Sequence, residues 1–194
     1  MSGWWLVSYV VLWLVVLALG LLVVALARQI GTLHLRLAPL GALEIDEEGL
    51  PLGSPTEPDR PVALDGDPVV VGGPGAPRLL LFISPGCRVC REVLPGLRAA
   101  TRGLPGSRPV VVSDADPETT AVAYPDRRAG GAPLVASPPL AERFAVPGTP
   151  YLVVLDADGV VRAKGTVNDL EQLEGLVDTA ARRIAHADPV EHAG

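Results

Sequence analysis

From Ser2 to Ala27 the chain carries no charged side chain, and Trp4 to Ala27 reads WWLVSYVVLWLVVLALGLLVVALA, almost continuously apolar. Away from water a backbone must satisfy its own N–H and C=O groups, so a run of this kind folds as a helix. At about 1.5 Å per residue it rises roughly 36 Å, enough to cross a hydrocarbon core of about 30 Å with some tilt. Trp4 and Trp5 stand at one end, where indoles favour the headgroup boundary, and Arg28 closes the other. A cleaved signal peptide is the competing reading, since Ala25, Leu26 and Ala27 offer small residues to a peptidase. Against it, the basic N-terminal region is missing and the apolar run exceeds that of a signal peptide. We therefore expect a retained transmembrane anchor over residues 4–27.

The remainder of the 194 residues suffices for one domain of ordinary size. Residues 28–60 pass from a short amphipathic piece into DEEGLPLGSPTEPDRP, whose prolines and glycines forbid a continuous helix or central strand. An extended tether is expected there, with a folded domain over 61–186 and a disordered tail over 187–194. The net charge of −6, with Lys and Arg scattered, leaves no basic groove for a phosphate backbone, so nucleic acid is excluded as a partner.

Within 61–186 the apolar pattern alternates. PVVV (68–71), LLLFI (79–83), VVV (110–112) and YLVVL (151–155) are short, β-branched or aromatic runs bounded by Pro, Gly or Asp, as in strands buried on both faces. Asp156-Ala157-Asp158-Gly159 reads as a turn closing a hairpin between YLVVL and VVRAK (160–164). Helices are expected from Cys90 to about Arg102, from Pro139 to Ala145 and from Asn168 to Ala185, the last with Asn168 as N-cap. The stretch 115–138 is too broken by Pro and Gly to assign.

The only two cysteines, Cys87 and Cys90, stand three apart where a buried strand gives way to a helix. At a helix N-terminus the free amide N–H groups and the macrodipole favour a thiolate, so such cysteines titrate below the free value of about 8.5. Arg88 and Arg91 add positive charge and are candidate thiolate-tuning residues. Cys87 is thus expected to be the attacking sulfur and Cys90, one turn further in, the resolving one.

Strand, C-x-x-C, and Pro95 five residues after the second cysteine resemble the thioredoxin family. The resemblance implies an α/β thioredoxin-like fold, a central mixed sheet flanked by helices, with one N-terminal transmembrane helix added. It also implies a cis-proline opposite the dithiol, and VPGTPYLVVLD supplies Thr149 and Pro150 as the substrate-docking pair. Thioredoxin itself has a buried acid six residues before the first cysteine; here Leu81 occupies that place. Across nearly the full length, ALARQIGTLHLRLAPLGAL, LLLFISPGCRVCREVLP and VVRAKGTVNDLEQLEGL are similar to the methylamine-utilisation accessory family MauD. That family implies disulfide formation or isomerisation in maturation of the methylamine dehydrogenase small subunit.

The expectation is therefore a thiol–disulfide oxidoreductase whose partners are cysteine-containing proteins, membrane lipid through residues 4–27, and a membrane electron donor or acceptor. It needs no cofactor beyond the redox-active Cys87–Cys90 pair and no metal. Zinc would want four ligands, whereas His34, His186 and His192 lie in the tether and tail. Alternatives are a copper-binding thioredoxin-like metallochaperone, a reductant for cytochrome c maturation, and a permanent structural disulfide. Arg28 and Arg36 after the anchor favour a cytoplasmic domain. The chemistry of stable disulfides favours the opposite side, and a redox domain outside the cytoplasm on a single-pass cell-membrane anchor is the expectation adopted.

Overall fold

The computed structural model describes residues 3–36 and 48–187. A first compact unit contains helix α1 (Gly3–Arg36), within which Gly3–Leu22 is long and apolar enough to cross a membrane. The helix does not stop at Ala27 but continues through Arg28 to Arg36, so the beginning of the expected tether is helical.

The second unit holds a six-stranded mixed sheet. Its strands are β1 (Arg78–Ile83), β2 (Arg108–Ser113), β3 (Arg128–Ala129), β4 (Ala132–Ala136), β5 (Tyr151–Leu155) and β6 (Val161–Thr166), in the order β3-β4-β2-β1-β5-β6. β1 lies parallel to β2, and β2 to β4, whereas the β1–β5, β5–β6 and β3–β4 pairs are antiparallel. Every residue of β1 and of β5 is buried, as expected from runs with no polar alternation.

The pleat divides these strands between two cores. Leu79, Leu81, Ile83, Leu152 and Val154 join one cluster with Cys90, Leu97, Leu173 and Val177. Leu80, Phe82, Tyr151, Val153 and Leu155 join the other with Leu140 and Phe144. The first core is completed by α2 (Arg88–Val93), α3 (Leu97–Ala100) and α6 (Leu170–Ala187), the second by α5 (Pro138–Arg143). This is the thioredoxin-like arrangement of a mixed sheet between helices.

Several local expectations shift. The helix expected from Cys90 to Arg102 begins at Arg88 and breaks at Pro95, where a 3₁₀ turn (Leu94–Gly96) separates α2 from α3. Proline has no N–H to continue the ladder and clashes with the preceding turn. The final helix starts two residues later than Asn168. Asp169 caps it by accepting from the Gln172 N–H at 2.8 Å, while Gln172 reaches back to the Asn168 N–H. PVVV forms no regular strand; only Pro68 and Val71 make isolated bridges, to Val62 and Asp59. Within 115–138 lie α4 (Pro117–Ala123), β3 and β4.

The Asp156–Gly159 turn closes the β5–β6 hairpin. Asp156 accepts from the N–H groups of Asp158 and Val160, each at 2.9 Å, and Gly159 takes φ +77°. A Cβ there would also stand 2.5 Å from the Gly73 carbonyl oxygen, so the turn requires glycine twice over.

Residues 48–60 run along the domain. Gly53 N–H and Val161 N–H exchange bonds with Val161 and Ser54 carbonyls at 2.9 and 3.0 Å, Pro55 bridges Val160, and Leu50 and Leu52 pack on the second core. The Glu48 carbonyl accepts from Tyr151 Oη at 3.1 Å and from the buried Lys164 Nζ at 2.7 Å. The middle of the expected tether and all of the tail except Ala187 lie outside the described residues.

Candidate active site

β1 delivers the chain into Ser84-Pro85-Gly86, and the Cys87 N–H folds back onto the Ser84 carbonyl at 3.1 Å. Cys87 then serves as the N-cap of α2: its backbone is extended (φ −75°, ψ 114°) and its Sγ accepts from the Cys90 N–H at 3.0 Å. A sulfur in that position faces the unpaired amide ends of the helix, where negative charge is favoured. Cys87 and Cys90 are joined in a disulfide, with Cα atoms 5.3 Å apart. Cys87 is half-buried and Cys90 fully buried, so any partner must reach the pair through Cys87.

From the other side comes the loop between α5 and β5. The Thr149–Pro150 peptide is cis, and the Thr149 carbonyl oxygen lies 3.8 Å from Cys87 Sγ. Sixty-two positions apart in sequence, the two are neighbours because β5 pairs directly with β1. The four residues expected to carry the chemistry and the docking, Cys87, Cys90, Thr149 and Pro150, therefore converge at one end of the sheet.

The two arginines differ. The Arg88 guanidinium pairs with Glu92 at 3.2 Å on an exposed face, and a surface pair of this kind is worth little. Arg91 Nη2 instead donates to the Pro85 carbonyl at 3.2 Å, holding its charge against the turn that precedes Cys87. Arg91 also acts on Tyr124, just past α4. Burial pushes that phenol above its ordinary range, opposed by a weaker pull from the guanidinium. The Tyr124 hydroxyl is enclosed without a hydrogen-bond partner among the described residues.

Sequence reasoning missed two polar residues here. The Ser84 hydroxyl bonds the Asp114 carboxylate, which stands just beyond β2, and Thr149 Oγ1 donates to Ser84 Oγ at 2.9 Å. Ser84 and Asp114 are thirty residues apart, so only the parallel pairing of β1 with β2, ending at Ile83↔Ser113, could have brought them to notice.

No family model matches the chain. Among individual proteins, it is 38% identical over 191 residues to the methylamine utilization protein MauD of Methylobacillus flagellatus, covering 96% of this chain and 90% of that one. The MauD proteins of Methylophilus methylotrophus and Paracoccus denitrificans are 37% and 33% identical, each over 92% of this chain and over 85% and 90% of their own. Among solved structures, the thioredoxin domain of a thiol-disulfide oxidoreductase from Bacteroides vulgatus superposes with a TM-score of 0.53 at 22% identity, covering 66% of this chain and 96% of that one. A peroxiredoxin-like protein from Aquifex aeolicus gives 0.54 at 15%, over 70% and 88% of the two chains. These structural likenesses establish the thioredoxin-like fold.

Proposed function

The chain belongs to the MauD family of methylamine utilization proteins, and from that premise we propose that it is a thiol–disulfide oxidoreductase acting on cysteine-containing proteins outside the cytoplasm. The observation that carries this reading is the Cys87–Cys90 disulfide, with its half-buried sulfur capping a helix beside the Thr149 carbonyl.

In the oxidised chain, a substrate thiolate attacks Cys87 Sγ and breaks the Cys87–Cys90 bond, giving a substrate–Cys87 mixed disulfide and releasing the Cys90 thiolate. A second substrate thiolate then attacks the substrate sulfur of that bond. The substrate leaves with a disulfide and its two electrons stay on the cysteine pair as the Cys87 and Cys90 thiolates; the protons that the substrate thiols gave up on forming thiolates pass through solvent, from which the buried Cys90 sulfur takes one. Run in reverse, the Cys87 thiolate opens a substrate disulfide and Cys90 resolves the adduct; both directions in succession isomerise. The dithiol needs no further cofactor. Thr149 and Pro150 present backbone to an extended substrate segment, and Arg91 with the helix N-terminus stabilises the Cys87 thiolate, Arg88 doing so less because it is paired with Glu92.

The family relation supports the disulfide-rich small subunit of methylamine dehydrogenase as the substrate. A membrane anchor through residues 4–27 keeps the domain where exported chains emerge and raises its local concentration there; a membrane redox partner would recharge the pair.

Exchange itself is the test. Mixed with a dithiol peptide, the oxidised chain transfers one disulfide per molecule, followed by mass, with Arg91→Ala slowing the reaction several-fold and Arg88→Ala by less. A chain that stays oxidised in excess dithiol peptide would overturn the reading. For the location, a membrane-impermeant thiol reagent applied to intact cells after reduction labels Cys87. Protection until lysis would place the domain on the cytoplasmic side.

A further inference from the structure

We propose that Ser84, anchored by Asp114, is a positioning residue that sets the substrate-docking backbone of Thr149 against Cys87; the proposal rests on the thiol–disulfide reading above. Ser84 follows β1 and Asp114 follows β2, and the two strands run parallel in register to Ile83↔Ser113, so both residues emerge at the same end of the sheet. The Asp114 N–H prolongs this pairing by donating to the Ile83 carbonyl at 3.0 Å.

The direction of the polar chain is set by its members. A carboxylate only accepts, so the single Ser84 hydroxyl proton is directed to Asp114. Thr149 Oγ1 must then be the donor in its 2.9 Å bond to Ser84 Oγ. The Ser84 carbonyl at the same time accepts from the Cys87 N–H at 3.1 Å. One residue therefore grips both halves of the site, the dithiol turn through its backbone and the docking loop through its side chain.

That grip matters because of where it acts: the Ala145 and Val146 N–H groups donate to the Glu142 and Ala141 carbonyls and the Pro150 carbonyl accepts from the Val167 N–H, while between these anchors Thr149 is held through its hydroxyl by Ser84. Ala145 to Gly148 belong to no helix or strand, and Gly148 directly precedes Thr149. Without the hydroxyl chain, the Thr149 carbonyl would sample positions away from Cys87 Sγ, and a peptide laid along that backbone would present its sulfur out of line. A small disulfide that does not use the Thr149 backbone would suffer less.

The experiment compares two substrates on the full chain in detergent: a peptide disulfide and bis(2-hydroxyethyl) disulfide, each reacting with the reduced protein. In Ser84→Ala the second-order rate for the peptide is expected to fall about ten-fold further than that for the small disulfide, a size typical of lost positioning. Ser84→Thr, which keeps a hydroxyl, restores the peptide rate, and Asp114→Asn falls between. Equal losses on both substrates, or no loss on the peptide, would overturn the proposal while leaving the exchange reading intact. A wild-type chain that reacts with neither disulfide would overturn the exchange reading itself. Urea unfolding of each variant separates a loss of positioning from a loss of fold.

Discussion

With Cys90 replaced by serine, the chain becomes a trap: Cys87 still attacks a substrate disulfide, but no internal thiol remains to break the bond it forms. The geometry makes the effect large. Cys90 stands on the next turn of the same helix, with its N–H already bonded to Cys87 Sγ at 3.0 Å. A well-oriented internal group can act at effective molarities of roughly 10⁵ M, far above any external thiol, so the mixed disulfide should outlive that of the wild type by at least about 10³-fold. It appears as partner-containing bands on a non-reducing gel that vanish with reductant, and Cys87→Ser abolishes them and drops exchange to background. Exchange that persists in Cys87→Ser would mean that Cys87 is not the attacking sulfur. A permanent structural disulfide predicts neither result.

The second large effect is on the scaffold that aims the docking loop. Phe144 directly follows α5, and its ring packs on Phe82 of β1 with centroids 5.4 Å apart, both side chains essentially without exposure. Phe144→Ala removes a fully enclosed ring from the second core, a change that costs about 3–5 kcal/mol. With a slope of about 1.5 kcal/mol per molar urea, the unfolding midpoint falls by roughly 2 M or more at unchanged slope. Phe144→Leu keeps much of the volume and should lose far less. A midpoint shift of only a few tenths molar for the alanine variant would show that the core collapses around the gap. Because Phe144 stands five residues before Thr149, the surviving folded protein should also exchange peptides more slowly.

Much of this was legible in the chain because the deciding information was local. The runs at 79–83 and 151–155 are apolar at every position, which only a strand covered on both faces requires, and that is where β1 and β5 lie. The Asp-x-Asp-Gly turn announced the β5–β6 hairpin, and the cysteine spacing with Pro95 announced a thiol at a kinked helix. What failed depended on partners distant in sequence. PVVV has the composition of a strand, yet its partners are the irregular segment 59–62, so it makes bridges rather than a ladder. β4 reads as a proline-broken loop, Ala-Pro-Leu-Val-Ala, and becomes a strand because β2 offers it a parallel edge. α4 did carry local cues, Asp116 accepting from the Thr119 N–H and Pro117 in the first turn, but seven residues are too few for a periodic stripe. At the site, the cysteines and Thr149–Pro150 were visible as motifs, whereas Ser84 and Asp114 belong to none and meet only through strand register. Leu81 remains as read: it shares a fully buried cluster with Cys90, so the resolving thiol sits in apolar surroundings.

The segment 48–60 also decides how this domain meets its neighbours. β6 is the last strand of the sheet, and such an edge offers unpaired amides and carbonyls to any passing chain. At the first residue of β6, Gly53 and Ser54 occupy the outward groups of Val161; in the turn before it, the Thr56 N–H donates to the Gly159 carbonyl, and Pro55, which has no N–H to offer onward, sits at the bridge to Val160. In a thiol–disulfide oxidoreductase of this fold, the start of the β6 margin at Val161 is thereby closed to strand addition by a cysteine-bearing protein, so a substrate's backbone must be met elsewhere on the domain.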